Sequence, residues 1–203
     1  TYAGRLGLTP AVADEKVVRL DPSGYIRVAL GSAVLLIDAA PVGPDYLPAH
    51  AHADTLSFEF SLFGQRVVVN SGTSCYGPGP VRKWERSTPA HSTLEIDGKN
   101  SSEVWANFRV ARRAYPLDVS LKCKEDAVIV EAAHDGYRRL PGRPIHRRRW
   151  MLSSRSLEVS DFLEGRYSSA VARVHFHPDI KLKQDLGVCG AARWRDHTID
   201  WQV

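Results

Sequence analysis

Short β-prone runs recur along the chain, each closed by a turn signal, at roughly the spacing of an all-β sandwich or barrel. Residues 25–30 and 33–38 flank Gly31-Ser32. Residues 55–63 place Leu56, Phe58, Phe60 and Leu62 on one face, and Gly64-Gln65 fits a two-residue hairpin turn into a strand over 66–70. Residues 93–96 run into Asp97-Gly98, 104–110 alternate again, and 117–123 pair with 127–132 across Lys124-Glu125-Asp126. The second half continues in this style over 147–152, 156–162, 171–176, 180–183 and 198–203. Helix signals are thin. Thr9 as a cap with Pro10 in the first turn predicts one short helix. With no internal repeat and no Pro/Gly/Ser-rich linker, the pattern predicts one all-β domain over 1–203, an antiparallel sandwich with few or no helices.

Composition sharpens this in the negative. A chain of 203 residues that is 43% hydrophobic and 25% charged has a globular balance, which excludes disorder and collagen-like structure. The apolar run at residues 29–37 is broken by Gly31 and Ser32 and is far shorter than the roughly 20 residues of a membrane helix. Three cysteines, Cys75, Cys123 and Cys189, form no CxxC pair and indicate neither a disulfide framework nor a zinc ribbon. The net charge of +4 rests on 20 Arg against 7 Lys, which suits an anionic partner. Base composition of a genome produces the same bias. The lone methionine, Met151, leads to the expectation that a segment preceding Thr1 belongs to the intact protein.

The densest polar group is His50-Ala51-His52-Ala53-Asp54. If the strand at 55–63 already begins there, a period of two puts His50, His52 and Asp54 on one face, opposite small alanines. Two imidazoles and a carboxylate so placed bind a metal, or divide ligation and proton transfer between them; the alternative is histidines satisfied by local hydrogen bonds. A turn-rich loop over 70–80 follows, then Arg82, Trp84, Arg86 and His91 before the next strand. Loops on rigid strands concentrate function, although Arg82 and Arg86 also fit a solvated loop. Six arginines lie in the twelve residues 138–149, and without a nucleic-acid motif beside them they are expected on a solvated strand edge. His175 and His177 are expected to cap a strand end.

Taken in order, His50-Ala51-His52-Ala53-Asp54-Thr55-Leu56-Ser57, Gly64, Asn70-Ser71-Gly72-Thr73, Tyr76, Arg86-Ser87-Thr88-Pro89-Ala90-His91 and Asp97-Gly98 resemble the C-terminal domain of heparinase II/III-like proteins. The resemblance runs from about Tyr25 to about Arg113, with weaker echoes at His134-Asp135-Gly136-Tyr137 and His146-Arg147. It implies a supersandwich-like β-domain that, with an N-terminal (α/α) toroid, walls a cleft in which acidic, uronate-containing polysaccharide is cleaved by β-elimination. It further implies a bacterial lyase that is periplasmic or secreted, with no nucleic-acid partner. Most of the catalytic base apparatus of such enzymes comes from the toroid, so the isolated chain is expected to be inactive.

Position by position, the resemblance makes His50 the cleft-facing histidine, with Tyr76 and Arg86 as further catalytic candidates. His52, Asn70 and His91 fall at the positions of a zinc site. Asn70 stands where the family usually has aspartate. Asparagine carries no charge, so the implied zinc site is weakened. Ser92 is a second departure, at a position where asparagine is common. Two rival readings remain: a non-catalytic carbohydrate-binding or scaffold module of the same fold, and metal-assisted hydrolysis by His50, His52 and Asp54.

Overall fold

The computed structural model describes residues 5, 15–21, 23–185, 189–194 and 196–203; the helix expected from Thr9 lies outside the described residues. The described chain is about 46% strand and 5% helix. Strands β1 (Val17–Leu20), β2 (Tyr25–Leu30), β3 (Ala33–Asp38), β4 (Phe58–Leu62) and β5 (Gln65–Val68) form an antiparallel sheet in sequence order. A second sheet has the order β12-β11-β10-β9, from β9 (Pro116–Cys123), β10 (Ala127–His134), β11 (Ile145–Ser153) and β12 (Leu157–Glu164). Alternation of apolar residues gives each sheet one dry face. Ile26, Val28, Leu35, Ile37, Phe58, Phe60 and Val67 of the first sheet meet Val128, Val130, Ala132, Trp150 and Leu152 of the second in a single buried cluster, which makes the fold a β-sandwich.

Smaller units complete it. β6 (Leu94–Ile96) pairs with β13 (Ala170–Ala172), β7 (Val104–Trp105) with β8 (Arg109–Val110), and β14 (Lys181–Asp185), β15 (Cys189–Trp194) and β16 (His197–Gln202) form a three-stranded sheet whose Ala192 and Trp194 join the main core. One short helix, α1 (Pro80–Glu85), and a 3₁₀ turn at Thr88–Ala90 occupy what the sequence pattern presents as loop.

Several sequence expectations are corrected in detail. Leu62 pairs with Gln65, so the turn residues of that hairpin are Phe63 and Gly64 rather than Gly64 and Gln65. Both have positive φ (51° and 74°), as a tight two-residue hairpin turn requires. The strand expected over 55–63 begins only at Phe58, because Leu56 sits at φ 64° in a turn. Residues 104–110 are not one strand but a ribbon of two dipeptides around a tip at 106–108. The arginine-rich strand is not an edge either. β11 lies between β10 and β12, and its residues alternate strictly in burial. Arg147 and Arg149 point outward to Asp118 and Glu131, and Arg148 points inward.

Arg148 is one end of a buried polar chain that crosses this sheet. Gly136 N–H donates to His134 Nδ1 at 3.1 Å, so the His134 proton is on Nε2, which lies 3.2 Å from His146 Nδ1. His146 then carries its own proton on Nε2 and donates to Asp161 Oδ1 at 2.6 Å. Arg148 grips the same carboxylate with Nε and Nη2 at 2.6 and 2.8 Å. Its remaining nitrogen, Nη1, donates to the carbonyls of Leu56 (3.0 Å) and Ser92 (2.7 Å). Burial alone would raise Asp161, but Arg148 and His146 hold it well below the usual carboxylate range.

Candidate functional site

Leu56 is the pivot of the site's first segment. Its N–H bonds the carbonyl of Asp38 at 2.9 Å and its own carbonyl is held by Arg148, so the chain leaves β3's ladder through a fixed turn. Residues 50–54 are therefore a loop, and His50, His52 and Asp54 do not share a strand face. His50 is exposed and leans edge-on against Tyr76, ring centroids 5.4 Å apart, with Phe108 at 6.5 Å. His52 turns inward, and its ring lies 5.2 Å from that of His91.

Three groups converge there. His52, Asp54 and His91 each offer a ligand atom, and these atoms lie within 4.8 Å of one another. His91 is fully buried, and neither of its ring nitrogens makes a well-formed hydrogen bond, the Glu85 backbone being the polar group nearest to that role. An imidazole enclosed with its nitrogens so poorly paired is costly, and a bound cation would remove that cost. Burial pushes both histidines down to about 4; His175 adds to this for His91, while for His52 the Asp54 charge opposes it and His91, Arg82 and Arg86 add to it. At neutral pH both rings are therefore uncharged, the form in which imidazole ligates a metal. Asp54 is raised by burial, with His52 opposing. Asp38 is buried nearby, raised by its burial and then by the Asp54 charge, while its Oδ1 accepts the Ala40 N–H. Two neutral imidazoles and the Asp54 carboxyl form a donor set that fits a metal ion.

Asn70 lies at the base of the adjoining loop. Its Oδ1 accepts the N–H of Gly72 at 2.9 Å and folds the loop that carries Thr73 beside His52. The carboxylate found with the two histidines is that of Asp54. Tyr76 is exposed on the same loop, over the guanidinium of Arg82 at 5.3 Å. Glu85 of α1 receives the Ser74 N–H at 2.9 Å, which ties this loop to the helix.

Arg86 is not presented to solvent. It is buried, and its donors reach the carbonyls of Ala51 (3.0 Å), Ala106 (3.1 Å) and Arg109 (3.1 Å). Arg82, also fully buried, reaches His52 Nε2, Thr73 Oγ1 and the Asn107 carbonyl. Neither is the solvated loop arginine that the sequence also allowed. His175 bonds the Pro89 carbonyl at 3.0 Å and His177 accepts the Asp179 N–H at 3.2 Å, the capping role expected for this pair. What sequence reasoning missed is the support: Arg148, Asp161 and the 104–110 hairpin, whose only sequence signals were an alternating strand and an arginine run.

The fold and the site together define a class: a β-sandwich domain with a histidine–carboxylate cluster and an exposed histidine at one end. Residues 13–203 match the family described as heparinase II/III-like, C-terminal, and the chain belongs to that family. Among curated protein sequences none matches significantly. The solved heparan sulfate lyase HepC from Pedobacter heparinus superposes with a TM-score of 0.72 at 18% identity, covering 96% of this chain and 30% of that one. A solved heparinase III gene product gives 0.74 at 19% identity, covering 99% of this chain and 30% of its own. Another heparinase III structure gives 0.63 at 17%, covering 88% and 27%. At these identities the likeness is one of fold, and the chain spans about 30% of the length of the first two. Among the described residues no helix is long and apolar enough to cross a membrane.

Proposed function

We propose that this chain is the β-domain of a bacterial, periplasmic or secreted lyase that cleaves uronate-containing polysaccharide by β-elimination, forming one wall of a cleft whose other wall is a helical domain. The observation that carries this reading is the exposed His50 imidazole, set against Tyr76 immediately before the His52, Asp54, His91 cluster, in a chain of this family.

The chemistry sets the demands. The proton at C5 of the uronate is removed, its electron pair forms the C4–C5 double bond, the C4–O bond breaks and the departing oxygen takes a proton. A C–H beside a carboxylate is acidified only if the developing charge is met by donors. His50, exposed to solvent, neutralises the carboxylate or moves a proton, and Tyr76, whose ring lies 5.4 Å from it, delivers a proton to the departing oxygen. Arg86 acts through structure: by holding the Ala51 carbonyl next to His50 and the hairpin carbonyls, it positions rather than touches substrate. His52, Asp54 and His91 would hold a zinc ion, with Asn70 shaping the adjoining loop. Bound there, it would supply positive charge beside the Asp54 carboxyl and tie the 50–54 segment to His91.

Incubating the intact protein with an acidic polysaccharide should generate an unsaturated, ultraviolet-absorbing product, and His50→Ala should abolish it; full activity in that variant refutes the assigned role. The exposed rings of Tyr76, Trp105 and Phe108 favour a second reading, binding without chemistry. Retention of an acidic glycan with no product from the intact protein supports that module instead.

A further inference from the structure

The hairpin of β7 and β8 is anchored more firmly than a surface ribbon of two dipeptides needs. Buried Arg86 gives both Nη nitrogens to it, on the carbonyls of Ala106, Arg109 and, at 3.5 Å, Trp105, and buried Arg82 adds one long bond of 3.4 Å from Nε to the carbonyl of Asn107. Asn107 Nδ2 in turn reaches the Tyr76 carbonyl, joining hairpin and 70–79 loop. Charged donors aimed at backbone carbonyls make strong bonds, so the tip is fixed before anything binds to it.

What the fixed tip displays is aromatic. Trp105 is 49% exposed and Phe108 43%, and Phe108 lies 6.3 Å from the 54% exposed Tyr76 with the two rings 17° from parallel. The Arg109 guanidinium lies 4.8 Å from the Trp105 ring. On the Trp105 side opens a groove of about 530 Å³ with Lys99, Arg112 and Arg139 in its wall, where Glu103 bridges Arg112 and Arg139. Large rings held rigidly in water mark a binding surface. Their chemistry selects the occupant: a pyranose ring has an apolar C–H face that lies on an aromatic ring, and a carboxylate or sulfate on that sugar meets the guanidinium beside it. A protein partner would gain little from two rings on a narrow ribbon and a third on the adjoining loop.

We propose that Trp105, Phe108 and Arg109 form a binding subsite for an acidic oligosaccharide beside Tyr76 and His50, whose rings form a cluster of three with that of Phe108. The subsite deepens the lyase reading and rests on it only in making the bound chain the substrate of His50.

The test uses the intact protein carrying His50→Ala, so that a probe is bound and not consumed, with calorimetric titration of a heparan sulfate tetrasaccharide, a tetragalacturonate and the neutral maltotetraose. At least one acidic probe should bind in preference to the neutral one. Trp105→Ala and Phe108→Ala should each raise its Kd on the order of tenfold, Trp105→Tyr should restore most of the loss, and Arg109→Gln should erase the preference for acid. Unchanged thermal midpoints show that these exposed positions leave the fold intact. Equal Kd values in parent and variants, or no binding of either acidic probe, overturn the subsite. So does a lowered thermal midpoint with unchanged Kd, which would make the strip a contact between domains. Turnover is read separately with His50 present. Ring-dependent binding without product sinks the lyase reading and leaves the subsite, and product formation with ring-independent binding does the reverse.

Discussion

Replacing Arg148 with methionine keeps most of the side chain's volume and removes its charge. The guanidinium is buried, makes two bonds to Asp161 and two to the carbonyls of Leu56 and Ser92, and lies 5.8 and 6.0 Å from the rings of Phe58 and Trp150. Without it Asp161 keeps only His146 as a partner, and two buried carbonyls lose theirs. Breaking a buried ion pair from one side costs about 3–5 kcal/mol, and each orphaned carbonyl adds to that side of the range. Arg148→Met should therefore lower the unfolding free energy by about 4 kcal/mol, a large part of the 5–15 kcal/mol typical of a domain. Denaturant titration by circular dichroism measures this, with an unchanged m-value showing that the transition is the same one. Arg148→Met combined with Asp161→Leu should recover more than half of the loss, because the uncompensated charge is then gone. A loss under about 1 kcal/mol in the single variant, or none recovered in the double, refutes the claim that this pair holds the site's loops to the second sheet.

His134 and His146 are both held below the ordinary imidazole range, by burial first in each case; His146, Arg148 and Arg139 add to this for His134, and the bond to Asp161 opposes it for His146. Below about pH 6.5 the unfolded chain takes up protons that the folded chain refuses, so stability should fall from pH 7 to pH 5 by roughly 2 kcal/mol for each imidazole that stays neutral. His134→Gln should flatten that slope in urea titrations, and an identical slope contradicts the assignment. Elemental analysis of the purified protein should find stoichiometric zinc, lost on His91→Ala or Asp54→Ala and retained on Asn70→Ala; loss in the Asn70 variant would return that residue to the ligand set. Gly142→Ala should destabilise by more than about 2 kcal/mol, since a Cβ there would lie 1.7 Å from the Arg166 carbonyl oxygen.

The sandwich was legible because strand alternation is local. The 117–123 with 127–132 pairing and the 25–30, 33–38 hairpin agree with β9–β10 and β2–β3. The site was legible in part: His52 and His91 do come together. Its geometry was not, for reasons that each depend on distant residues. Leu56 reads as a strand position, and only the bonds from Asp38 and Arg148 show why it turns. A six-residue helix is too short to leave a period, so α1 passed for loop. Arg148 and Arg147 are alike in sequence; one faces Asp161 and the core while its neighbour faces Asp118 and solvent, a difference set by which sheet lies behind β11.

The reach of Arg148 also sets an order of events. It lies 92 residues from Leu56 and 56 from Ser92, and it fastens those two carbonyls to β11, whereas the 51–55 and 86–93 segments are bonded directly to each other through Ala51, Ala53, Arg86, Thr88 and Thr93. Closing loops of that size costs chain entropy before any contact repays it, whereas the β1–β5 meander forms from near neighbours. During synthesis the first sheet emerges whole before β11 exists. The two histidines and the carboxylate lie in segments that hold each other without β11, so what Arg148 adds is the fastening of an already closed pair of loops to the second sheet.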